Sequence, residues 1–202
     1  SRFYENIIGR SRAFCGVIYP WLREHFAPRL DDVSPEDFYR MINKAQPSLI
    51  RTEADELTYC LHIMVRYELE RRMFAGELTA HDLPAQWNRL YKAYLGVDVP
   101  NDREGILQDS HWANGNIGYF PSYAIGSAYG AQYLRQMQKD FDVSAVVATG
   151  RLTQINRGLE EKIWKFGCMK DPTPLFESVC GPFDPTCYTA YLRDKFTEVY
   201  GL

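Results

Sequence analysis

The 202-residue chain has no basic excess, no Cys-x-x-Cys pair and no apolar run approaching the length of a membrane span. Each absence removes a class of function. Lys and Arg total 23 against 26 Asp and Glu, a net charge of −3, which argues against the basic stripe that nucleic-acid binding requires. Without a long apolar run or a secretory leader pattern, the expected compartment is the cytoplasm, with no membrane partner. The five cysteines, Cys15, Cys60, Cys168, Cys180 and Cys187, are odd in number and read as reduced thiols. Cys180 and Cys187 flank a Gly-Pro loop, so a single bridge there is the minor alternative. No two of the four histidines (His25, His62, His81, His111) lie four apart, so no helix offers two imidazoles to one ion. Gly-x-Ser-x-Gly and phosphate-cradling glycine loops are also missing. Low-complexity segments, repeats and long linkers do not occur.

What is present is an apolar and aromatic chain: 46% hydrophobic and 14% aromatic residues, with 14 Tyr and 4 Trp. That suffices for one domain or one large lobe, with polar aromatic tips available to line a cleft. Helical periodicity dominates. Residues 2–19 read as one helix that Pro20 should kink or break, followed by a short segment to Phe26. Ser34-Pro35-Glu36-Asp37 marks a helix start, with the helix running to about Lys44. Residues 47–52 are too short for a helix and β-branched in character, predicting one short strand. A long helix is expected over 55–75, with Leu57, Cys60, Leu61, Met64 and Tyr67 on its apolar face and Glu68 paired or wet on that same face. Another spans 84–95 and ends at Gly96. Helices are further expected over 121–139, 142–148, 151–166, 173–179 and 185–200, with Gly126 and Gly130 admitting a close neighbour. The class is mainly α: a multi-helix lobe with one short strand or hairpin.

Two segments stand apart. In Ile50-Arg51-Thr52-Glu53-Ala54-Asp55-Glu56 the acids suit a helix N-terminus, but Arg51 does not. A fixed Arg beside a cleft suits bidentate capture of a carboxylate. The second lies in the Gly- and Asn-rich stretch 97–120, whose aromatics argue against disorder. In Gly105-Ile106-Leu107-Gln108-Asp109-Ser110-His111-Trp112, an acid two residues before a histidine could orient the ring. Tyr119 and Tyr123 follow in Gly118-Tyr119-Phe120-Pro121-Ser122-Tyr123. A histidine and phenols suit donation to a developing oxyanion, although on spacing alone a buried aromatic loop with a satisfied histidine is the leading reading.

The motif from Gly105 to Trp112 resembles G-x-x-Q-D-x-H-W of the thermostable carboxypeptidase Taq type, peptidase family M32, and Ile50 to Asp55 resembles that family's I-R-x-x-A-D. The flanks from Leu57 to Glu70 and Gly118 to Tyr123 agree, and the opening from Ser1 to Phe14 resembles the segment that follows the family's H-E-S-Q motif. The resemblance therefore runs along the whole chain. It implies a zincin-type metallocarboxypeptidase acting on peptides, with residues 1–202 forming a C-terminal portion of its catalytic domain. It also implies zinc ligands and a general-base Glu upstream of Ser1, none assignable here, so no metal ligand is expected in this chain and the portion alone is expected to be inactive. Carried over, Arg51 is the candidate for the substrate carboxylate, with Asp55 either its orienter or a cap. His111 and Tyr123 are candidates for stabilising the tetrahedral intermediate, by analogy with related gluzincin peptidases, and Tyr119 is the rival phenol. Gln108 and Asp109 are expected to hold His111 in its tautomer, Trp112 to pack, and Arg66 and Glu68 to join a structural ion network. The family is often dimeric, which makes a homodimer the implied assembly. The competing reading is a non-catalytic helical binding or dimerisation module derived from the same fold.

Overall fold

A computed structural model describes all residues 1–202. Nine α-helices carry the fold: α1 (Arg12–His25), α2 (Pro35–Ile42), α3 (Tyr59–Phe74), α4 (Leu83–Leu95), α5 (Pro121–Met137), α6 (Val143–Ala148), α7 (Thr153–Lys162), α8 (Pro172–Cys180) and α9 (Thr186–Tyr200). The chain divides into two compact units, Ser1–Asn43 with Gly126–Leu202, and Lys44–Ile125.

Side-chain and glycine caps start and stop these helices. Ser34 Oγ accepts from Asp37 N–H at the head of α2, and Asp142 Oδ1 accepts from Ala145 N–H at the head of α6. Gly96 closes α4 in the left-handed conformation, φ +70°. The opening segment departs from one continuous helix. Phe3–Ile8 is a π-turn, after which the chain restarts at Ser11, whose hydroxyl caps Phe14 N–H. Pro20 lies inside α1 without ending it.

In the first unit, Phe3, Ile7 and Ile8 of the π-turn pack with Met137, Val143, Val147, Ile155 and Leu159. Gly130 is what lets the π-turn approach α5: a Cβ there would stand 3.3 Å from Ile7 Cδ1. Gly126 has open space at the same point and needs no such role. All five cysteines are free. The loop between Cys180 and Cys187 is held by Gln132, whose Nε2 donates to the carbonyls of Cys180 and Pro182 and whose Oε1 accepts from Asp184 N–H.

In the second unit α3 packs on α4, with Val65 and Leu69 against Trp87, Leu90, Tyr91 and Leu95. Two expectations are corrected here. The strand over 47–52 does not form, and no strand or hairpin occurs anywhere in the chain. Ile50 is extended (φ −96°, ψ 119°), and Arg51–Glu53 then turn into a 3-10 helix. The reason is the partner. Arg51 N–H donates to Gln108 Oε1 and Leu49 carbonyl accepts from Gln108 Nε2, so one side-chain amide satisfies the backbone groups a neighbouring strand would have taken. The second correction concerns α3. Leu57, Met64 and Tyr67 of the expected apolar face are exposed, while Tyr59, His62, Ile63, Val65, Arg66, Leu69 and Glu70 are buried. Polar groups go inward because each finds a partner there.

Gly130→Leu should lower the stability of the chain by about 1–3 kcal/mol, because the larger side chain must displace Ile7. Gly130→Ala should change it much less. Urea denaturation midpoints of the two variants give the comparison.

Candidate functional site

The site grows from the two corrected features. The 3-10 helix carries Arg51, α3 carries Tyr59, His62, Arg66 and Glu70, and the turns of 101–119 carry Gln108, Asp109, His111 and Trp112. Gly105 shapes those turns. A Cβ there would come within 2.8 Å of Val99 Cγ1 and 3.0 Å of the Asn101 carbonyl oxygen, so the chain can double back only with glycine at this point.

At the centre, the Asp109 carboxylate lies between two guanidiniums. Arg51 Nη2 reaches Oδ1 at 2.6 Å and its Nε lies 3.1 Å from both oxygens. Arg66 reaches Oδ2 through Nε at 2.8 Å and Nη2 at 2.6 Å. The three side chains are 7%, 0% and 10% exposed, for Arg51, Arg66 and Asp109 respectively. Charge-assisted bonds this short make the group rigid. Burial alone would lower the Arg51 pKa, but the bonds and charge of Asp109 raise it and prevail. Burial likewise opposes ionisation of Asp109, yet Arg51 and Arg66 hold its carboxyl below the ordinary value. Arg66 is further bound to the His62 carbonyl, Gln108 Oε1 and the Tyr91 hydroxyl, and lies over the Trp87 ring. Gln108 is fully engaged, since its Nε2 also donates to the Glu104 carbonyl.

Beside this cluster, His111 Nε2 and the Tyr123 hydroxyl are 2.9 Å apart, and the Arg51 guanidinium lies 5.1 Å from the Tyr123 ring centroid. The His111 ring packs against Phe120 and Tyr119, with centroids at 4.4 and 5.9 Å. Its Nδ1 faces Asp109 Oδ1 at 3.9 Å, beyond hydrogen-bond reach, and is buried without a partner. Burial raises the Tyr123 phenol pKa, so it is a neutral donor at physiological pH. Tyr119 is 50% exposed and packs edge-on against Tyr123.

The structure thus gathers Arg51, Gln108, Asp109, His111, Tyr119 and Tyr123 in one place. Asp55 is separate: its carboxylate caps Thr58 through N–H and hydroxyl and accepts from Gln46 N–H, and the carboxylate orienting Arg51 is Asp109. Trp112 packs against Trp87 and Phe120 and donates Nε1–H to Glu70 Oε1 at 2.6 Å, which also accepts from Gly118 N–H. Glu68, expected to be paired, accepts from the Tyr94 hydroxyl. The sequence placed Arg66 in a structural ion network, which it joins through Asp109 rather than with Glu68, and Glu70 was not weighed. The available signal was spacing: His62, Arg66 and Glu70 lie four apart, a polar ladder on one face of α3. No group of three or more His, Cys, Asp or Glu side chains in the chain could hold a metal ion.

Two consequences follow for stability. Asp109→Ala leaves two buried guanidiniums without their carboxylate and should cost about 3–5 kcal/mol, whereas Asp55→Ala removes a cap worth about 1 kcal/mol; equilibrium denaturation of both separates them. His62 is fully buried and its pKa is pushed down to about 4 from 6.5, chiefly by burial and then by Arg66. The folded chain therefore leaves His62 neutral where the unfolded chain protonates it. That stability is fully present above pH 6.5 and is lost as the pH falls toward 4, on the order of 3 kcal/mol in all. His62→Gln should flatten the dependence of the urea midpoint on pH across that window.

A family model described as carboxypeptidase Taq (M32) metallopeptidase matches residues 1–196. "Carboxypeptidase 1" of Bacillus subtilis is 43% identical over 202 residues, covering 99% of this chain and 40% of that relative. "Thermostable carboxypeptidase 1" of Pyrococcus furiosus is 42% identical over 198 residues, covering 97% and 40%. Among solved structures, an M32 carboxypeptidase from Deinococcus radiodurans superposes with a TM-score of 0.95 at 39% identity, covering 100% of this chain and 41% of that one. Metallocarboxypeptidase 1 of Trypanosoma cruzi gives 0.90 at 36% identity, covering 96% and 41%. The chain spans about two-fifths of the length of the relatives it matches.

Proposed function

The chain belongs to the carboxypeptidase Taq (M32) metallopeptidase family, and from that premise we propose that it forms the substrate-gripping portion of a metallocarboxypeptidase, a C-terminal part of the catalytic domain that removes single C-terminal residues from peptides. The metal implied by the family description finds no ligand set among these residues, so its ligands, for zinc on this reading, come from outside the chain. What the chain contributes is recognition of the free carboxylate and of the oxyanion that forms on the scissile carbonyl.

One observation carries the proposal. Arg51 has five guanidinium hydrogens, and its bonds to Asp109 and Tyr59 leave one N–H on each terminal nitrogen. A rigid, permanently charged guanidinium with spare donors on both terminal nitrogens is suited to a planar carboxylate. Asp109, Gln108 and Tyr59 hold Arg51 rather than meet the substrate, and Trp112 fixes the turn that presents His111. Tyr123, hydrogen-bonded to His111 and neutral, is the phenol that donates to the oxyanion, with Tyr119 flanking it at the surface. Asp55 serves by capping the head of α3 at Thr58 and tying Gln46 to it.

The test uses the longer protein that contains this chain. It is expected to release C-terminal residues from free-acid peptides, and chelation should abolish the activity. Arg51→Ala should lower kcat/KM for free acids far more than for C-terminal amides, and Tyr123→Phe should lower kcat about 10²–10³-fold, the effect of losing one oxyanion donor. An equal loss on acids and amides in Arg51→Ala would remove carboxylate capture from the reading.

A further inference from the structure

Asp109 is the one carboxylate within ion-pair distance of either buried guanidinium. Two cations share one anion in a group that is nowhere more than 10% exposed. A closed pair of Arg51 and Asp109 would be neutral and would present little field to an incoming anion. Arg66 changes that count. Its Nε and Nη2 both fall on Oδ2, the oxygen that Arg51 reaches only through a 3.1 Å bond from Nε. Gln108 Oε1, the His62 carbonyl and the Tyr91 hydroxyl then bind the rest of Arg66. These partners are neutral, because burial keeps His62 uncharged at neutral pH and raises the Tyr91 phenol pKa. The cluster keeps one unit of positive charge, and Arg66, fully buried, cannot itself offer it to a ligand.

We infer that Arg66 is a positioning residue that draws on Asp109 from behind, so that the positive charge of Arg51 stays available to the carboxylate of a peptide ligand. This rests on the carboxylate reading of Arg51 above. In low-dielectric surroundings a single uncompensated charge acts strongly on a nearby anion, so the effect on carboxylate affinity should be large although Arg66 never touches the ligand.

The test is calorimetric titration of the longer protein that contains this chain, native and variant, with its metal chelated so that no peptide is cleaved, using an acetylated tetrapeptide once as the free acid and once as the C-terminal amide, with circular dichroism and thermal melting run on each variant. The native protein should prefer the acid by about tenfold or more, as one charge-assisted interaction supplies. Arg66→Met leaves Asp109 to Arg51 alone and should bring that preference to about twofold or less on the same scale. Arg66→Lys keeps a charge beside Oδ2 and should restore most of it, which a merely structural role would not require. If Arg66→Met fails to fold, Arg66→Lys decides: preference kept supports the inference, preference lost overturns it. A folded Arg66→Met that still prefers the acid, or folded Met and Lys variants that lose the preference equally, would overturn the inference while leaving the carboxylate reading intact. A native protein that binds acid and amide alike would overturn the carboxylate reading itself.

Discussion

The Asp109 carboxylate, shared by two buried guanidiniums, organises the Lys44–Ile125 unit. Asp109 sits on turns that have no hydrogen-bonded ladder of their own, and its two arginines come from a 3-10 helix 58 residues earlier and a helix 43 residues earlier. Buried charges of this kind cost several kcal/mol each unless geometry and additional hydrogen bonds compensate them. Here Gln108, Tyr59, Tyr91 and a main-chain carbonyl complete the arginines. The compensation constrains structure: it ties the turns to Arg51 and Arg66 and so fixes where His111 stands beside Tyr123 on α5.

The same requirement explains the orientation of α3. A helix is expected to bury its most apolar face, yet this one turns His62, Arg66 and Glu70 inward while Met64, Tyr67 and Phe74 face out. Trp112 and Gly118 need Glu70, and Asp109 needs Arg66. The aliphatic stems and ring faces around these groups, Trp87 over Arg66 above all, still supply a hydrophobic interior.

Much of the fold was legible in the sequence where the signal is local. Ser34 and Gly96 marked helix ends because capping depends on residues within one turn. The two motif segments and their histidine, tyrosine and arginine were legible as unusual. What escaped was non-local. Residues 47–52 read as a strand because they are β-branched in character and too short for a helix, but the partner of that backbone is a side chain far along the sequence. Arg66 read only as a member of a structural ion network with Glu68 because nothing within its own helix shows that the acid it serves lies 43 residues away. Asp55 looked as apt to orient Arg51 as to cap a helix, and only the packing separates those uses.

The Gln108 amide has a consequence of an evolutionary kind. It reads main-chain atoms at Leu49 and Arg51, so it is indifferent to which side chains residues 49 and 50 carry. Inserting or deleting one residue between those two contacts would break both bonds and carry the guanidinium off its carboxylate. The length of this stretch should therefore stay frozen, while Leu49 is held apolar by its packing against the α3–α4 core.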